Sequence, residues 1–436
     1  MARNLRVRFK KTVSTRLYTI PGQKWTIMAQ TAFLDQASSS LAAHSRPAAA
    51  TAERFEVLDS WRGICALLVA LFHFPATGFI SQSAFIGSSY LFVDFFFVLS
   101  GFVITSSYAN RLNDAADARR FALVRFGRIY PLHLFMLAAF VAFEALRLLL
   151  PQLRGNGAEP FTGGFGLDSL LANLLLLQGV GFTGQLTWNA PSWSISAEFF
   201  AYLLFAAAIL VAARRAWIFF VAVALVAPLF LLAFSPTNMD VSWDFGFIRC
   251  LYGFSLGALL SWFQHDSITA ARRSIRADGS LAGPLVWTLI ECATIVGIFA
   301  FVSLAGQNTA GIAAPFVFVA ALYVFAHEGG AVSMALRSRA LLLLGALSYS
   351  IYMVHVFVQA RMFNLAGLLD RKLGGALLGD IGFHGDIVSG FGPGSAAIGL
   401  IATALMVVLT LAAAYCTYRL VEMPALAWFR RLSKRI

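Results

Sequence analysis

The stretch that decides the fold is residues 58–74, LDSWRGICALLVALFHF. Its apolar run predicts a membrane-spanning helix that carries Arg62 and His73 eleven residues apart. Ionisable groups in hydrocarbon are costly, so they usually face a protein interior or a wet cavity. At a helical rise of 1.5 Å per residue the two side chains lie ~16 Å apart along the axis, about half the apolar thickness of a bilayer. One group is therefore expected near one membrane face and the other beyond the midplane.

Composition places the whole chain in a membrane. Of its 436 residues, 59% are hydrophobic and only 12% are charged, and the mean hydropathy is +0.75. A soluble domain carries roughly twice that charged fraction. The net charge of +12 does not indicate nucleic-acid binding, because no basic domain exists apart from the apolar segments. The four cysteines have no metal or disulfide spacing, so no bound metal or cofactor is predicted.

Eleven apolar segments follow one another along the chain. They lie at 57–77, 84–107, 128–150, 167–182, 193–213, 216–234, 246–264, 284–304, 310–327, 341–363 and 395–420. If 167–182 does not cross, every basic cluster falls on one side, as the positive-inside rule requires. The sequence therefore predicts an all-α polytopic membrane protein with about ten transmembrane helices, one re-entrant or interfacial segment, and both termini cytoplasmic.

Charge and hydropathy also predict the division of the chain. Residues 1–52 are expected to form a basic, disordered cytoplasmic tail, and residues 53–424 a transmembrane domain. Residues 425–436 are expected to form a short basic cytoplasmic tail. Inner-membrane localisation follows from this pattern of basic loops.

In the outer half of the predicted bundle, several polar side chains are candidates for one outward cavity. They are His73, Asp94, Glu198, Arg249 and His355. Such a cluster suits proton abstraction from a hydroxyl, with cations to stabilise an oxyanion. The alternative is that these groups form interhelical hydrogen bonds and ion pairs that hold the bundle together. Both interpretations stay open for His355, Arg249 and Asp94.

On the inner side, Arg125 and Arg128 are three residues apart and so share one side of a helix. Paired guanidinium groups suit phosphate recognition. The alternative is ordinary membrane anchoring, with anionic lipid as partner. Asp59 lies one helical turn before Arg62 and is expected to pair with it. His384, in an outer loop, is given no specific role.

The motifs of the chain resemble those of the membrane-bound acyltransferase-3 family. The resemblance runs from about Glu56 to Pro424. Its motifs are Leu58-Asp59 with Arg62-x10-His73, Phe95 to Phe102, Arg125-x-x-Arg128 before Ile129-Tyr130-Pro131, Trp193 to Glu198, Ser348-Tyr349-Ser350-Ile351-Tyr352 with His355, and Glu422-x-Pro424. The resemblance implies O-acyl transfer, with acetyl as the default acyl group, from cytoplasmic acyl-CoA to a hydroxyl of a surface polysaccharide, such as lipopolysaccharide O-antigen, or of another glycan. It also implies an essential Arg62/His73 pair and a donor contact at Arg125 and Arg128.

These residues suggest a mechanism. The phosphates of acyl-CoA lie near Arg125 and Arg128, Arg62 lines the path of the donor, and His73 accepts the hydroxyl proton. Glu198 or Asp94 orients the imidazole. Arg249 or a tyrosine steadies the oxyanion, with Tyr349 and His355 in supporting positions. The expected partners are acyl-CoA, a glycan or lipid-linked saccharide, and membrane lipid. A transporter or flippase for a glycan or anionic metabolite is the competing interpretation, and a lipid-linked glycan polymerase is a third.

Overall fold

The computed structural model of the 436-residue chain describes residues 55–153, 159–277, 282–306, 308–373, 375 and 377–435. The predicted tail over residues 1–52 lies outside these residues. The predicted division into tail, transmembrane domain and short C-terminal tail therefore stays a prediction.

The described residues are mainly helical. In chain order the helices are α1 Glu56–Phe72, α2 Ala84–Gly87, α3 Phe92–Tyr108, α4 Ala115–Leu149, α5 Leu167–Leu174, α6 Trp193–Ala212, α7 Ala216–Phe234, α8 Gly246–Ala277, α9 Ala282–Ala305, α10 Ala314–Ala326, α11 Ala331–Leu336, α12 Arg339–Leu373, α13 Ala396–Thr417 and α14 Met423–Ser433. Two antiparallel strands, β1 Leu378–Phe383 and β2 Asp386–Phe391, form a hairpin between α12 and α13.

Within the described residues, eight helical segments are long and apolar enough to cross a membrane. One of them, Ala190–Phe234, contains both α6 and α7, which are joined by a single turn at Ala213–Arg215. Helix α1 has 17 residues and so spans ~26 Å. Counting α6 and α7 separately and adding α1 gives ten helices. The prediction of an all-α polytopic membrane protein is confirmed.

The segment predicted not to cross is short in the structure as well. Helix α5 has eight residues, or ~12 Å, which is less than half the apolar thickness of a bilayer. It is held against α4: the Tyr130 hydroxyl donates to the Leu174 carbonyl at 3.0 Å, and a ring nitrogen of His133 contacts the Asn173 carbonyl at 2.9 Å.

Two closely packed helix pairs organise the bundle. A Cβ on Gly101 of α3 would collide with the Phe254 carbonyl of α8, and a Cβ on Gly257 of α8 would collide with the Val98 carbonyl of α3. Helix α1 approaches α12 in the same way at Gly63. Small residues allow such close approach between membrane helices. Around these pairs, α7 packs on α8 and α13 packs on α12.

Two boundaries differ from the sequence prediction. Helix α4 begins at Ala115, and its N-cap is Asp114, whose carboxylate accepts from the Asp117 amide. Arg125 and Arg128 therefore both lie within α4, as their spacing predicts, although the predicted apolar segment begins only at residue 128. Helix α8 continues to Ala277, beyond the apolar run. Arg272 in this extension forms a buried ion pair with Glu328 at 3.1 Å.

Candidate active site

Helix α1 places the two decisive side chains at opposite ends of one element. Arg62 lies in its second turn, and His73 is its C-terminal cap. We call the corresponding ends of the bundle the Arg62 end and the His73 end. A Cβ on Gly63 would lie only 2.6 Å from the backbone nitrogen of Gly345. This contact fixes α1 against α12, which carries His355.

At the His73 end, two histidines from distant parts of the sequence meet. The Nε2 atom of His355 lies 3.4 Å from the Nδ1 atom of His73, and the ring centroids are 5.1 Å apart. His73 Nδ1 also lies 2.8 Å from the Val69 carbonyl oxygen. A carbonyl can only accept, so Nδ1 carries the proton of the neutral ring. Nε2 of His73 is then the unprotonated nitrogen, as a general base requires.

His355 is held in the same tautomer. Its Nδ1 atom faces the Ile351 carbonyl oxygen at 3.3 Å, which leaves the lone pair of Nε2 directed at His73. Its ring also lies 5.9 Å from that of Tyr352, whose hydroxyl contacts the Ser194 hydroxyl at 2.8 Å. His355 therefore belongs to the same site as His73, and it is fully buried.

A third histidine lies beside this pair. The His384 ring, in the turn of the β1–β2 hairpin, stacks on Phe72 with centroids 4.6 Å apart and planes 14° apart. Phe72 in turn meets His73 edge-on at 4.8 Å. Burial, and then the nearby His73, lower the pKa of His384 to about 4, so His384 is neutral at physiological pH.

At the Arg62 end, the two arginines of α4 are held by separate partners. Arg128 pairs with the Glu422 carboxylate, which also accepts from the Ser350 hydroxyl at 2.8 Å. Arg125 donates to the Tyr108 hydroxyl at 3.3 Å. The Arg62 and Arg128 side chains keep 32% and 24% of their surface exposed. These two side chains are therefore partly exposed rather than packed in the core.

Between the two ends lies a small hydrogen-bonded group. The Tyr202 hydroxyl donates to Glu198 at 2.5 Å and contacts the Ser100 hydroxyl at 2.9 Å. Glu198 also interacts electrostatically with Arg62 and Arg128. Glu198 is thus part of the Arg62 end and the bundle centre. The hydrogen-bonding contacts of the His73 ring are with Val69 and His355, so an orienting role of Glu198 stays a prediction.

Asp94 and Arg249 are paired with each other. Arg249 donates to both carboxylate oxygens of Asp94 at 2.8–3.2 Å and to the carbonyls of Tyr90 and Val241. Both side chains are almost completely buried. The expectations that Asp94 orients His73 and that Arg249 steadies an oxyanion are therefore not supported by their contacts. The structural interpretation of this pair is favoured.

The remaining supporting residues lie at the Arg62 end. Asp59 approaches Arg62 at 3.9 Å, one turn away, as its spacing predicts. The Tyr349 hydroxyl donates to the Ile129 carbonyl, and the Arg128 guanidinium lies over the Tyr349 ring at 5.7 Å. Tyr349 therefore supports the arginine site rather than His73. Among the described residues, no group of three His, Cys, Asp or Glu side chains is placed to hold a metal ion.

Sequence reasoning missed four partners. Tyr202 lies four residues after Glu198, so helical spacing carried a usable signal. Glu422 pairs with Arg128 across 294 residues of sequence. No local pattern indicates that contact. Tyr108 and His384 likewise reach the site only through the tertiary fold.

Comparisons with known proteins find a matching family model and two related sequences. The family model Acyl_transf_3, described as an acyltransferase domain, matches residues 55–419. The chain is 36% identical over 152 residues to "Protein 2 in picA locus" of Rhizobium radiobacter, over 34% of this chain and 78% of that protein. It is 34% identical over 146 residues to "Acyltransferase MdmB" of Streptomyces mycarofaciens, over 31% of this chain and 30% of that protein. No solved structure matches the chain.

Proposed function

Since the chain belongs to the Acyl_transf_3 acyltransferase family, we propose that it transfers an acetyl group from cytoplasmic acetyl-CoA to a hydroxyl of a cell-surface polysaccharide or another glycan. The observation that carries the proposal is the layout of α1. This single helix links a partly exposed arginine, Arg62, at one end to an imidazole with an available Nε2 at the other.

The Arg62 end suits the donor. Arg62, Arg125 and Arg128 supply guanidinium groups, which bind phosphate in bidentate fashion. The Nε atom of Arg125 is buried and has no hydrogen-bond partner among the described residues, so it remains available to a ligand. The pantetheine arm of acyl-CoA is on the order of 15–20 Å long. It is therefore long enough to carry a thioester along the ~16 Å between Arg62 and His73.

The reaction at the His73 end is a direct transfer. His73 Nε2 takes the proton of the acceptor hydroxyl as its oxygen forms a bond to the thioester carbonyl carbon. The carbon–sulfur bond then breaks, and the CoA thiolate receives the proton from the imidazolium. The products are an ester and free CoA. His355 holds the proton of His73 on Nδ1 and so keeps Nε2 available.

Charge distribution supports an orientation. Helices α4 and α14 bring Arg125, Arg128, Arg430 and Arg431 to the Arg62 end, where the ring of Phe429 fills the space beside Gly127. Positively charged segments remain in the cytoplasm. We therefore place the Arg62 end and both termini in the cytoplasm, the His73 end outside, and the protein in the cell inner membrane.

A transfer assay tests the proposal. The full chain is purified in detergent and supplied with radiolabelled acetyl-CoA and surface polysaccharide from a strain lacking this protein. Wild-type protein should label the polysaccharide, and His73→Gln should lower the rate at least about a hundredfold, because a general base contributes about 10²–10⁴-fold. His133→Gln is the matched control, since His133 is a buried histidine of the same bundle that bonds to Asn173 instead.

The outcome also separates the competing function. A transporter or flippase would move its substrate without consuming acetyl-CoA. Unlabelled polysaccharide with intact wild-type protein, or full transfer by His73→Gln, would refute the proposed reaction.

A further inference from the structure

The β1–β2 hairpin closes over the His73 end through a two-residue turn. Phe383 pairs with Asp386, which leaves His384 and Gly385 at the tip. Both have positive φ, +54° and +96°, as a type I′ turn requires. Asn-Gly is the preferred pair in such turns, and histidine is also among the side chains enriched at positive φ. The turn therefore accommodates His384 but does not require it.

The hairpin is fixed relative to His73. The Thr77 amide donates to the Phe391 carbonyl at 2.9 Å, and the Phe391 amide donates to the Pro75 carbonyl at 3.0 Å. Gln82 donates to the Gly382 carbonyl at 3.1 Å. The chain that immediately follows His73 therefore carries the hairpin, and the position of the turn relative to the imidazole is defined.

The turn adds an aromatic surface with an unused polar atom. The His384 ring lies between Phe383 and Phe72, with centroids 3.8 and 4.6 Å away. Its Nε2 atom is buried and has no hydrogen-bond partner among the described residues. A buried polar atom without a partner costs about 1–3 kcal/mol. Aromatic faces with a few convergent polar atoms are the usual lining of a ligand site.

We propose that His384 and Phe72 form the acceptor subsite, where a sugar ring of the glycan lies beside the edges of the stacked rings and one of its hydroxyls bonds to His384 Nε2. A second hydroxyl of the same sugar is thereby placed at His73 Nε2. This inference rests on the proposed acyl transfer. His384 is a positioning residue and moves no proton.

Charge near this surface specifies the class of sugar. Asp240 is exposed and interacts electrostatically with His73, and Asp386 is exposed beside the turn. Carboxylates repel an anionic ligand in the same space. The acceptor sugar is therefore a neutral residue rather than a uronic acid.

The test separates the two substrates kinetically. Initial rates of the purified full chain are measured with radiolabelled acetyl-CoA and polysaccharide from the deletion strain, and each substrate is varied in turn. His384→Asn preserves the turn, because Asn is preferred there, but removes the ring. It should raise the acceptor KM at least tenfold, while the KM for acetyl-CoA changes less than twofold. Phe72→Leu leaves the turn untouched and should also raise the acceptor KM at least tenfold.

The matched control lies on the same hairpin. Ile387 is 80% exposed, and Ile387→Thr should leave both KM values unchanged. The charge argument is tested by competition: methyl α-D-glucopyranoside should inhibit transfer at concentrations where methyl α-D-glucuronide does not. Equal inhibition by the two glycosides would overturn the neutral-sugar assignment.

The other outcomes are equally decisive. Wild-type acceptor KM values for both His384→Asn and Phe72→Leu would overturn the subsite, and so would a rise in the acetyl-CoA KM alone. If limited proteolysis shows that the hairpin of His384→Asn is unfolded, Phe72→Leu decides. The loss of transfer in His73→Gln is measured separately, so the subsite can fail while the proposed function stands.

Discussion

Arg249→Met tests whether the buried Asp94–Arg249 pair acts in structure or in chemistry. The guanidinium makes three contacts with the carboxylate oxygens between 2.8 and 3.2 Å and also bonds to the Tyr90 and Val241 carbonyls. The two side chains are only 2% and 0% exposed. The substitution therefore leaves one buried carboxylate without its cation and the Val241 carbonyl without the Arg249 donor, whereas the Tyr90 carbonyl keeps the Phe92 amide.

The magnitude follows from these contacts. Leaving one member of a buried ion pair without its partner costs about 3–5 kcal/mol, and an unsatisfied carbonyl adds about 1–3 kcal/mol. The Asp94→Leu/Arg249→Met double variant removes the buried charge as well. We expect its free energy of unfolding to exceed that of Arg249→Met by about 3–5 kcal/mol.

The assay combines stability with activity. Unfolding in mixed detergent micelles is compared for wild type, both single variants and the double variant, and acyl transfer is normalised to folded protein. The double variant should recover stability and retain transfer. Wild-type stability with lost transfer in Arg249→Met, or a stable but inactive double variant, would refute the structural role and restore Arg249 as an oxyanion stabiliser.

Three further outcomes follow. Arg128→Lys keeps the charge but loses bidentate geometry, so the acetyl-CoA KM should rise at least tenfold in steady-state kinetics; an unchanged KM would contradict the donor contact. Gly63→Ala puts a Cβ 2.5 Å from the Leu344 carbonyl carbon, so unfolding in detergent should show a loss of ~1–3 kcal/mol, and an unaltered midpoint would refute the close packing. Burial, and then His73, lower the pKa of His384 to about 4 from 6.5, so its contribution to hairpin stability is complete above pH 6.5 and is lost as pH falls toward 4. Hydrogen exchange of residues 378–391, corrected for intrinsic rates, should speed up over this range in wild type but not in His384→Asn; equal behaviour of the two proteins would contradict it.

The sequence predicted the bundle because membrane spans leave direct signals. A long apolar run and the side on which basic residues lie gave ten helices and identified 167–182 as too short to cross. The sequence does not predict the hairpin at 378–391, because its Gly-rich strands lack a sustained alternation of apolar and polar residues. Its turn also contains His-Gly rather than the usual Asn-Gly. The apolar segment predicted for helix α4 begins too late in the sequence, because the first turns of this helix are polar.

The site was predictable in part. Depth along each span placed His73 and His355 in the same half of the membrane, but only the tertiary fold brings them to 3.4 Å. The sequence could not distinguish a catalytic Arg249 from a structural one, since both interpretations require a buried cation. The contact between Tyr202 and Glu198 could be predicted from the sequence, because the two residues lie one helical turn apart. The Arg128–Glu422 pair could not be predicted, because no local sequence pattern links α4 to the end of α13.

The pairing of Phe391 with Pro75 and Thr77 has a consequence for engineering. A hairpin grafted from another member of the family would be positioned by its hydrogen bonds to residues 75–77, which lie just after His73 in the chain. It would not be positioned by a separate part of the protein. Chimaeras that exchange residues 378–391 while retaining the glycine-free 75–77 stretch should therefore inherit the glycan preference of the graft without realignment of the base. Specificity in this architecture can then diversify in fourteen residues while the donor machinery stays constant.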